Sequence, residues 1–297
     1  MDSSHLTNAQ VLEYISELCE KKESFPNKVE ELIREIGSLT TAELIHHLNA
    51  AGSIPEGYQH DSSEEKLYAK YCDFLVYEFF KALGMNSELC KERSDYADVI
   101  GKTKSYIVVA DAKAFRLSRT ALNPKDYKIE ALDGWRKKAK GDFACLVAPI
   151  NEFPKGKSRL YSEAVRYNVL LISYTHLVFI LSTENFKKID LSPLLNVKEI
   201  FKGKQDVAAG EYWKTIESVL LGITKKDLDS LMGLKVKAKE LSLKNIDSEI
   251  NYLQSISNSV KKMDENKVRE LFLDRLGVTN KVGQILKKKK FLTNNNA

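Results

Sequence analysis

The chain has 297 residues, 43% of them hydrophobic and 29% charged, which is enough apolar material for a sizeable core under a well-solvated surface and excludes a wholly disordered protein. Lys and Arg total 46 against 41 Asp and Glu; the resulting net charge of +5 permits nucleic-acid binding without arguing for it. No uninterrupted apolar stretch approaches membrane-spanning length, and the N-terminus lacks a basic segment leading into an apolar run, so neither a membrane role nor export is expected.

From Asn8 to about Gly52, apolar residues such as Val11, Ile15 and Leu18 recur at helical spacing and predict a small helical N-terminal region, taken as residues 1–60. A turn at 52–57 follows. The run from Asp61 to Glu65 then offers a capping residue with Glu in the first turn, and a long helix is expected to about Leu83. Tyr96 to Gly101 and Tyr106 to Lys113 are short, rich in β-branched residues and separated by a turn-like Gly101-Lys102-Thr103-Lys104, which predicts two adjacent strands. Asp126 to Lys138 reads as helix, Asp142 to Ala148 as a buried strand, Ser158 to Tyr167 as helix and Val169 to Ser173 as another buried strand. Strands alternating with helices predict an α/β fold with a mixed central β-sheet flanked by helices, here assigned to a core over 61–186. Residues 187–297 are expected to be mainly helical and packed with that core, with a long helix through Ile246, Ile250, Leu253, Val260 and Met263 and a basic, frayed tail from Leu286. Cys19, Cys72, Cys90 and Cys145 have spacings that suggest neither a C-x-x-C pair nor zinc, so a reducing, cytoplasmic compartment is expected.

The segment Tyr106-Ile107-Val108-Val109-Ala110-Asp111-Ala112-Lys113 is a strand apolar enough to be buried that ends in a carboxylate and an ammonium. Side chains alternate along a strand, so Asp111 and Lys113 share a face and the carbonyl of Ala112 remains available as a further oxygen ligand. Acid-x-Lys spacing alone is common in this chain, at Glu20/Lys22, Glu64/Lys66, Asp126/Lys128 and Glu265/Lys267, all in polar, helix-like stretches. Only Asp111/Lys113 follows a buried strand beside another that carries an acid, Asp98. Two converging carboxylates suit Mg²⁺, a hard ion that is usually held by one or two carboxylates plus substrate phosphate. Phosphodiester hydrolysis is the chemistry this arrangement predicts, with Lys113 neutralising charge that develops on phosphorus. Glu65 has two readings, a third acid for the site or a first-turn acid that favours the helix N-terminus. Beyond the strand, Arg116, Arg119 and Asn123 are candidates to read bases, with Ser118, Thr120 and Lys125 as candidates to grip the DNA backbone; the alternative for each is an ordinary surface loop. His46, His47 and His176 lack metal-like surroundings, and no nucleophilic triad has a local signature.

The segment from Val109 to Ala121 resembles the HindIII family of restriction endonucleases, as do Glu65-Lys66-Leu67, Ala97-Asp98-Val99-Ile100, Ala131-Leu132 with Trp135-Arg136, Leu146-Val147-Ala148-Pro149 and Asn168-Val169-Leu170-Leu171 in the same order. The resemblance implies the PD-(D/E)xK nuclease class: Mg²⁺ dependence, ends carrying 5′-phosphate and 3′-hydroxyl, Asp98 and Asp111 as the acids, and Lys113 as the lysine. Ala97 stands where the motif has proline, which leaves the ligand chemistry untouched. It further implies a homodimer that cuts double-stranded DNA at a palindrome, A-A-G-C-T-T by analogy, and a separate DNA methyltransferase that protects the host. Two other readings stay open. One is a structure-specific or repair nuclease on the same core; the other is a non-catalytic DNA-binding protein.

Overall fold

Three short helices open the chain, α1 (Asn8–Glu20), α2 (Phe25–Ile36) and α3 (Thr41–Ala50), in a computed structural model that describes residues 6–90, 97–119, 123–275, 282 and 286. Each begins where a hydroxyl side chain, Thr7, Ser24 or Thr40, accepts from a backbone N–H of the first turn, and Gln10 and Glu43 complete capping boxes in α1 and α3. The chain then forms β1 (Ser53–Ile54) and enters α4 (Ser63–Ala82), capped by Ser62. Helix α4 is the centre of the hydrophobic core. Tyr68, Tyr71, Phe74, Leu75 and Phe79 are buried on it, and α1, α2 and α3 all pack against it.

The main sheet follows: β2 (Asn86–Leu89), β3 (Val99–Lys102) and β4 (Ile107–Ala112), then, after β5 (Phe115–Arg116) and α5 (Ile129–Lys138), β6 (Phe143–Ala148), α6 (Arg159–Tyr167) and β7 (Val169–Ser173). Its order is β2-β3-β4-β6-β7, antiparallel through β2, β3 and β4 and parallel through β4, β6 and β7. The expected mixed α/β sheet flanked by helices is what forms. On one face α5 packs on β4, β6 and β7 and α6 on β7, and the two helices touch each other. On the other, α4 covers β2, β3 and β4. Gly101 is what lets α4 lie so close to β3, because a Cβ there would come within 2.9 Å of the Phe80 ring and 3.0 Å of Met85 Sδ.

Three details depart from the sequence expectations. Strand β2 was not foreseen, since Asn-Ser-Glu-Leu is polar and short; it is stabilised as an edge strand by pairing with β3. The helix expected over 126–138 is broken, a 3-10 turn at Pro124–Tyr127 being separated from α5 by Lys128 at φ 50°. Helix α7 (Tyr174–Leu181), capped by Ser173, follows β7 directly and is buried all round, so it has no polar face to show a helical period.

After α7 come α8 (Ser192–Leu195), α9 (Val197–Ile200) and α10 (Ala209–Thr224), and α8 packs on β6 and β7. Tyr212 of α10 is buried, and its hydroxyl oxygen accepts the Leu171 N–H at 2.8 Å. The long C-terminal helix α11 spans Leu228–Lys261 and is followed by α12 (Glu265–Arg275). By its contacts the chain divides into two compact units, residues 1–244 and 245–297. The division falls inside α11 and not at 186/187, and α8, α9 and α10 belong to the unit that holds the sheet. Described apolar residues of the second unit, among them Ile250, Leu253, Ile256 and Val260, are exposed.

A small parallel bridge ties the N-terminal helices to the chain beyond β4: β1 pairs with β5, and Phe115 N–H donates to Gly52 O at 2.9 Å. Gly52 has φ +91°, and a Cβ there would lie 2.7 Å from the Tyr174 ring and 2.9 Å from Pro149 Cδ, so conformation and space both require glycine.

Candidate active site

Strand β4 carries six residues, five of them buried, and ends at Ala112. Its antiparallel register with β3 pairs Val99 with Ala110; continued by one step, it sets Asp98 across from Asp111. Asp98 therefore lies just ahead of β3, not within a strand beginning at Tyr96, and Tyr96 itself falls outside the described residues. The backbone there is still held, because Cys90 N–H donates to Asp98 O at 2.8 Å. On the other side, Lys113 N–H donates to Val147 O at 2.7 Å and Tyr174 OH donates to Lys113 O at 3.1 Å, so Lys113 is fixed although β4 has ended.

A third acid joins them from α4. One carboxylate oxygen from each of Asp73, Asp98 and Asp111 lies within 4.8 Å of the others, and Asp73 Oδ1 accepts the Ala112 N–H at 3.4 Å. Two lysines face this trio. Lys113 Nζ is 2.5 Å from Asp111 Oδ2; Lys70 Nζ is 3.3 Å from Asp73 Oδ2, pairs closely with Asp98 and donates to Cys90 O at 3.2 Å. Asp73, Asp111 and Lys70 are buried, and the site opens to solvent through Asp98, whose side chain is 27% exposed, and Lys113 at 16%.

Electrostatically the site is short of positive charge. Burial, then the neighbouring Asp98 carboxylate, push Asp73 well above the usual carboxylate range, with Lys70 pulling the other way. Burial also raises Asp111, against the pull of Lys113. For both lysines burial favours the neutral form, but the carboxylates outweigh it and hold them above their ordinary value. Asp111 Oδ2 is buried and, apart from its ion pair with Lys113, makes no hydrogen bond of good geometry. Three hard oxygen donors with an under-satisfied buried oxygen are a donor set that fits Mg²⁺.

Glu65 sits elsewhere. It lies eight residues before Asp73, about 12 Å along the helix axis, and its Oε2 accepts from Asp61 N–H and pairs with Arg116 Nη2, each at 2.9 Å. The acid that α4 brings to the cluster is Asp73, which sequence reasoning missed. Its signal was present as a lone acid, three residues after a lone lysine, within an apolar stretch of helix (Lys70-Tyr71-Cys72-Asp73-Phe74-Leu75).

Beyond Lys113, three of the candidate DNA-reading side chains, Arg116, Ser118 and Arg119, are already engaged. Arg116 adds a 3.4 Å bond to Pro55 O to its pair with Glu65. Arg119 pairs with Glu152 at 3.3 Å and Asp126 at 3.4 Å and lies 3.8 Å over the Phe115 ring. Ser118 donates from both its backbone N–H and its hydroxyl to Glu56, each at 2.8 Å. Asn123 Oδ1 caps the 3-10 turn by accepting from Lys125 N–H at 3.0 Å, leaving Asn123 and Lys125 exposed. Thr120 lies outside the described residues. No described histidine joins the acidic trio: His47 Nδ1 meets Tyr71 OH at 2.6 Å, and His176 is stacked on Trp213.

The HindIII restriction endonuclease family model matches residues 9–283. The type II restriction enzyme HindIII of Haemophilus influenzae is 30% identical over 269 residues, 89% of this chain and 89% of that one. The chain belongs to the HindIII restriction endonuclease family. It is thus a type II site-specific deoxyribonuclease, and the match extends from the N-terminal helices through α11 and past α12, well beyond the core where the sequence resemblance was densest. Among solved structures, the small subunit of the heterodimeric restriction endonuclease R.BspD6I aligns with a TM-score of 0.27 at 12% identity, over 58% of this chain and 90% of that one, and carries no argument. No helix among the described residues is long and apolar enough to cross a membrane.

Proposed function

We propose that this endonuclease hydrolyses phosphodiester bonds of double-stranded DNA at a short palindrome, by analogy A-A-G-C-T-T, with Mg²⁺, leaving 5′-phosphate and 3′-hydroxyl ends. The observation that carries this reading is the convergence of Asp73, Asp98 and Asp111, with Lys113 against Asp111, at the end of a buried strand. Asp98 and Asp111 are the proposed metal ligands with the Ala112 carbonyl beside them, and Asp73 is the third acid in place of Glu65. Bound Mg²⁺ would supply charge to polarise the scissile phosphate and acidify a water. The chain's own contribution is orientation and charge. Lys113, fixed through its backbone by Val147 and Tyr174, presents an ammonium where negative charge grows on the oxygens of the scissile phosphate. Asp73 holds the backbone of Ala112 and so the spacing of the two groups that flank it.

Exposed Asn123 and Lys125 are proposed to contact DNA directly. Arg116, Arg119 and Ser118 can do so only by exchanging Glu65, Glu152, Asp126 or Glu56 for the duplex. A homodimer is proposed because a palindrome needs two symmetric sites. The exposed apolar positions Ile250, Leu253, Ile256 and Val260 of α11, spaced three or four residues apart, support self-association. The protein is placed in the cytoplasm with its DNA and a separate cognate methyltransferase, in keeping with four free cysteines.

The test is digestion of a plasmid of known sequence with and without Mg²⁺, by wild type and Asp111→Asn. Discrete Mg²⁺-dependent fragments ending at A-A-G-C-T-T, absent with the variant, are expected. Discrete ends at another sequence would discard the inherited specificity alone, and structure-dependent nicking would favour a repair nuclease.

A further inference from the structure

The reaction as proposed uses one lysine, yet the site contains two, and the second is the more deeply buried. Lys70 is 6% exposed as a residue. A long charged side chain on a helix ordinarily extends to water; this one turns inward from α4 and spends its ammonium on Asp73 Oδ2, Asp98 and the Cys90 carbonyl. These three acceptors come from three segments: α4 itself, the strand-end position before β3, and the chain just after β2. Without a cation at this point, Asp73 and Asp98 would face each other and Asp111 across less than 5 Å, an arrangement that leaves buried like charges uncompensated.

We propose that Lys70 is an internal counter-cation of the acidic trio: it holds Asp73 and Asp98 together in the metal-free enzyme, gives up Asp98 when a divalent ion binds, and thereby sets the metal affinity. The inference rests on the metal reading above. Asp98 is the exposed member of the trio and the one that Lys70 shares with the open side of the site, so it is the ligand able to change partners. Asp73, three residues on along α4, remains within reach of Lys70 throughout. Lys70 is a positioning residue in this scheme. It touches neither substrate nor reacting atoms, and its charge opposes that of the incoming ion while its hydrogen bonds keep the carboxylates in place.

The test uses the full chain without DNA and reads binding, not turnover. The thermal midpoint is followed against Mg²⁺ concentration for wild type, Lys70→Met, Lys70→Gln and Asp111→Asn, and the half-saturating concentration is taken from each curve. Lys70→Met and Lys70→Gln should have lower metal-free midpoints than wild type and half-saturate at about tenfold less Mg²⁺, because a like charge in contact with the ligands has been removed. Gln keeps a donor for Asp98 and remains informative if Met does not fold. Half-saturation at the wild-type concentration or above in the folded variants, with wild type still responding to Mg²⁺, would overturn the role of Lys70 and leave the metal site standing. A wild type with no Mg²⁺-dependent shift beyond that of Asp111→Asn would remove the metal reading and this proposal with it.

Discussion

Two neighbouring stretches of this enzyme bury charge in opposite ways. At the end of β4, three carboxylates share two lysines, and burial drives Asp73 and Asp111 toward protonation. A few residues later, Arg116 and Arg119 are matched by Glu65, Glu152 and Asp126, and Ser118 by Glu56. The first stretch is left in need of a cation, as a site must be if it is to bind one. The second has its charges paired, with Arg116 Nε and Arg119 Nε left buried without a hydrogen bond, and acts in the free protein as cross-links between β5, α4 and the turns at 124–127 and 150–152. Removing a carboxylate from the first should therefore cost activity and not stability, whereas removing an arginine from the second should cost stability.

The largest effect is expected from Asp111→Asn, a loss of about 10³-fold or more in single-turnover cleavage, since a proposed metal ligand and the partner of Lys113 disappear together. Its metal-free melting midpoint should not fall below that of wild type, because a buried charge is removed and Lys113 still faces Asp73 and Asp98. A marked drop would break the comparison. Lys113→Ala should slow single-turnover cleavage by about 10²-fold, while circular dichroism shows an unchanged fold.

Gly52→Ala tests the second stretch at its root, since Gly52 O anchors Phe115. Strain at positive φ and the collision with Pro149 and Tyr174 should cost about 3 kcal/mol in urea unfolding. Arg119→Ala should cost about 2 kcal/mol by leaving Glu152 half-buried without its cation. That deficit carries a pH signature. Burial already raises Glu152 above its ordinary 4.5 against the pull of Arg119. Without the arginine the folded protein takes up more protons than the unfolded chain, so the deficit should grow as pH rises from about 4.5 and shrink below it. Unfolding curves at pH 5 and pH 8 would reveal a flat dependence, which would remove Glu152 as the cause. Glu56→Gln, which keeps one acceptor for Ser118, should cost only about 0.5 kcal/mol by the same measurement.

The same contrast explains what could be read in advance. Strands β4, β6 and β7 are continuous apolar runs between polar segments, and the ends of β4 at Asp111 and Lys113 stand out because charge seldom follows such a run directly. The register that brings Asp98 opposite Asp111 follows from two adjacent strands and a short turn. Asp73 and Lys70 were illegible for the reverse reason: on a helix buried nearly all round, neither periodicity nor spacing says which acid faces the sheet end. Glu65 had the better local argument, at a helix start and inside the family resemblance, but tertiary packing gives it Arg116. The pairing of Arg116 and Arg119 was likewise invisible, because Glu65 lies 51 residues from Arg116 and Glu152 lies 33 residues from Arg119.

The β1–β5 bridge makes the first sixty residues part of the catalytic body and not a detachable preface. Residues 53 and 54 lie against Phe115 and Arg116, which begin two positions after Lys113, and Gly52 is gripped by the rings of Pro149 and Tyr174, just beyond the ends of β6 and β7. Separated into fragments 1–60 and 61–297, the protein would leave the larger piece with an unpaired strand and an uncovered α4. Cleavage would then report on reassembly, and the two halves would behave as a switch that is on only when both are present.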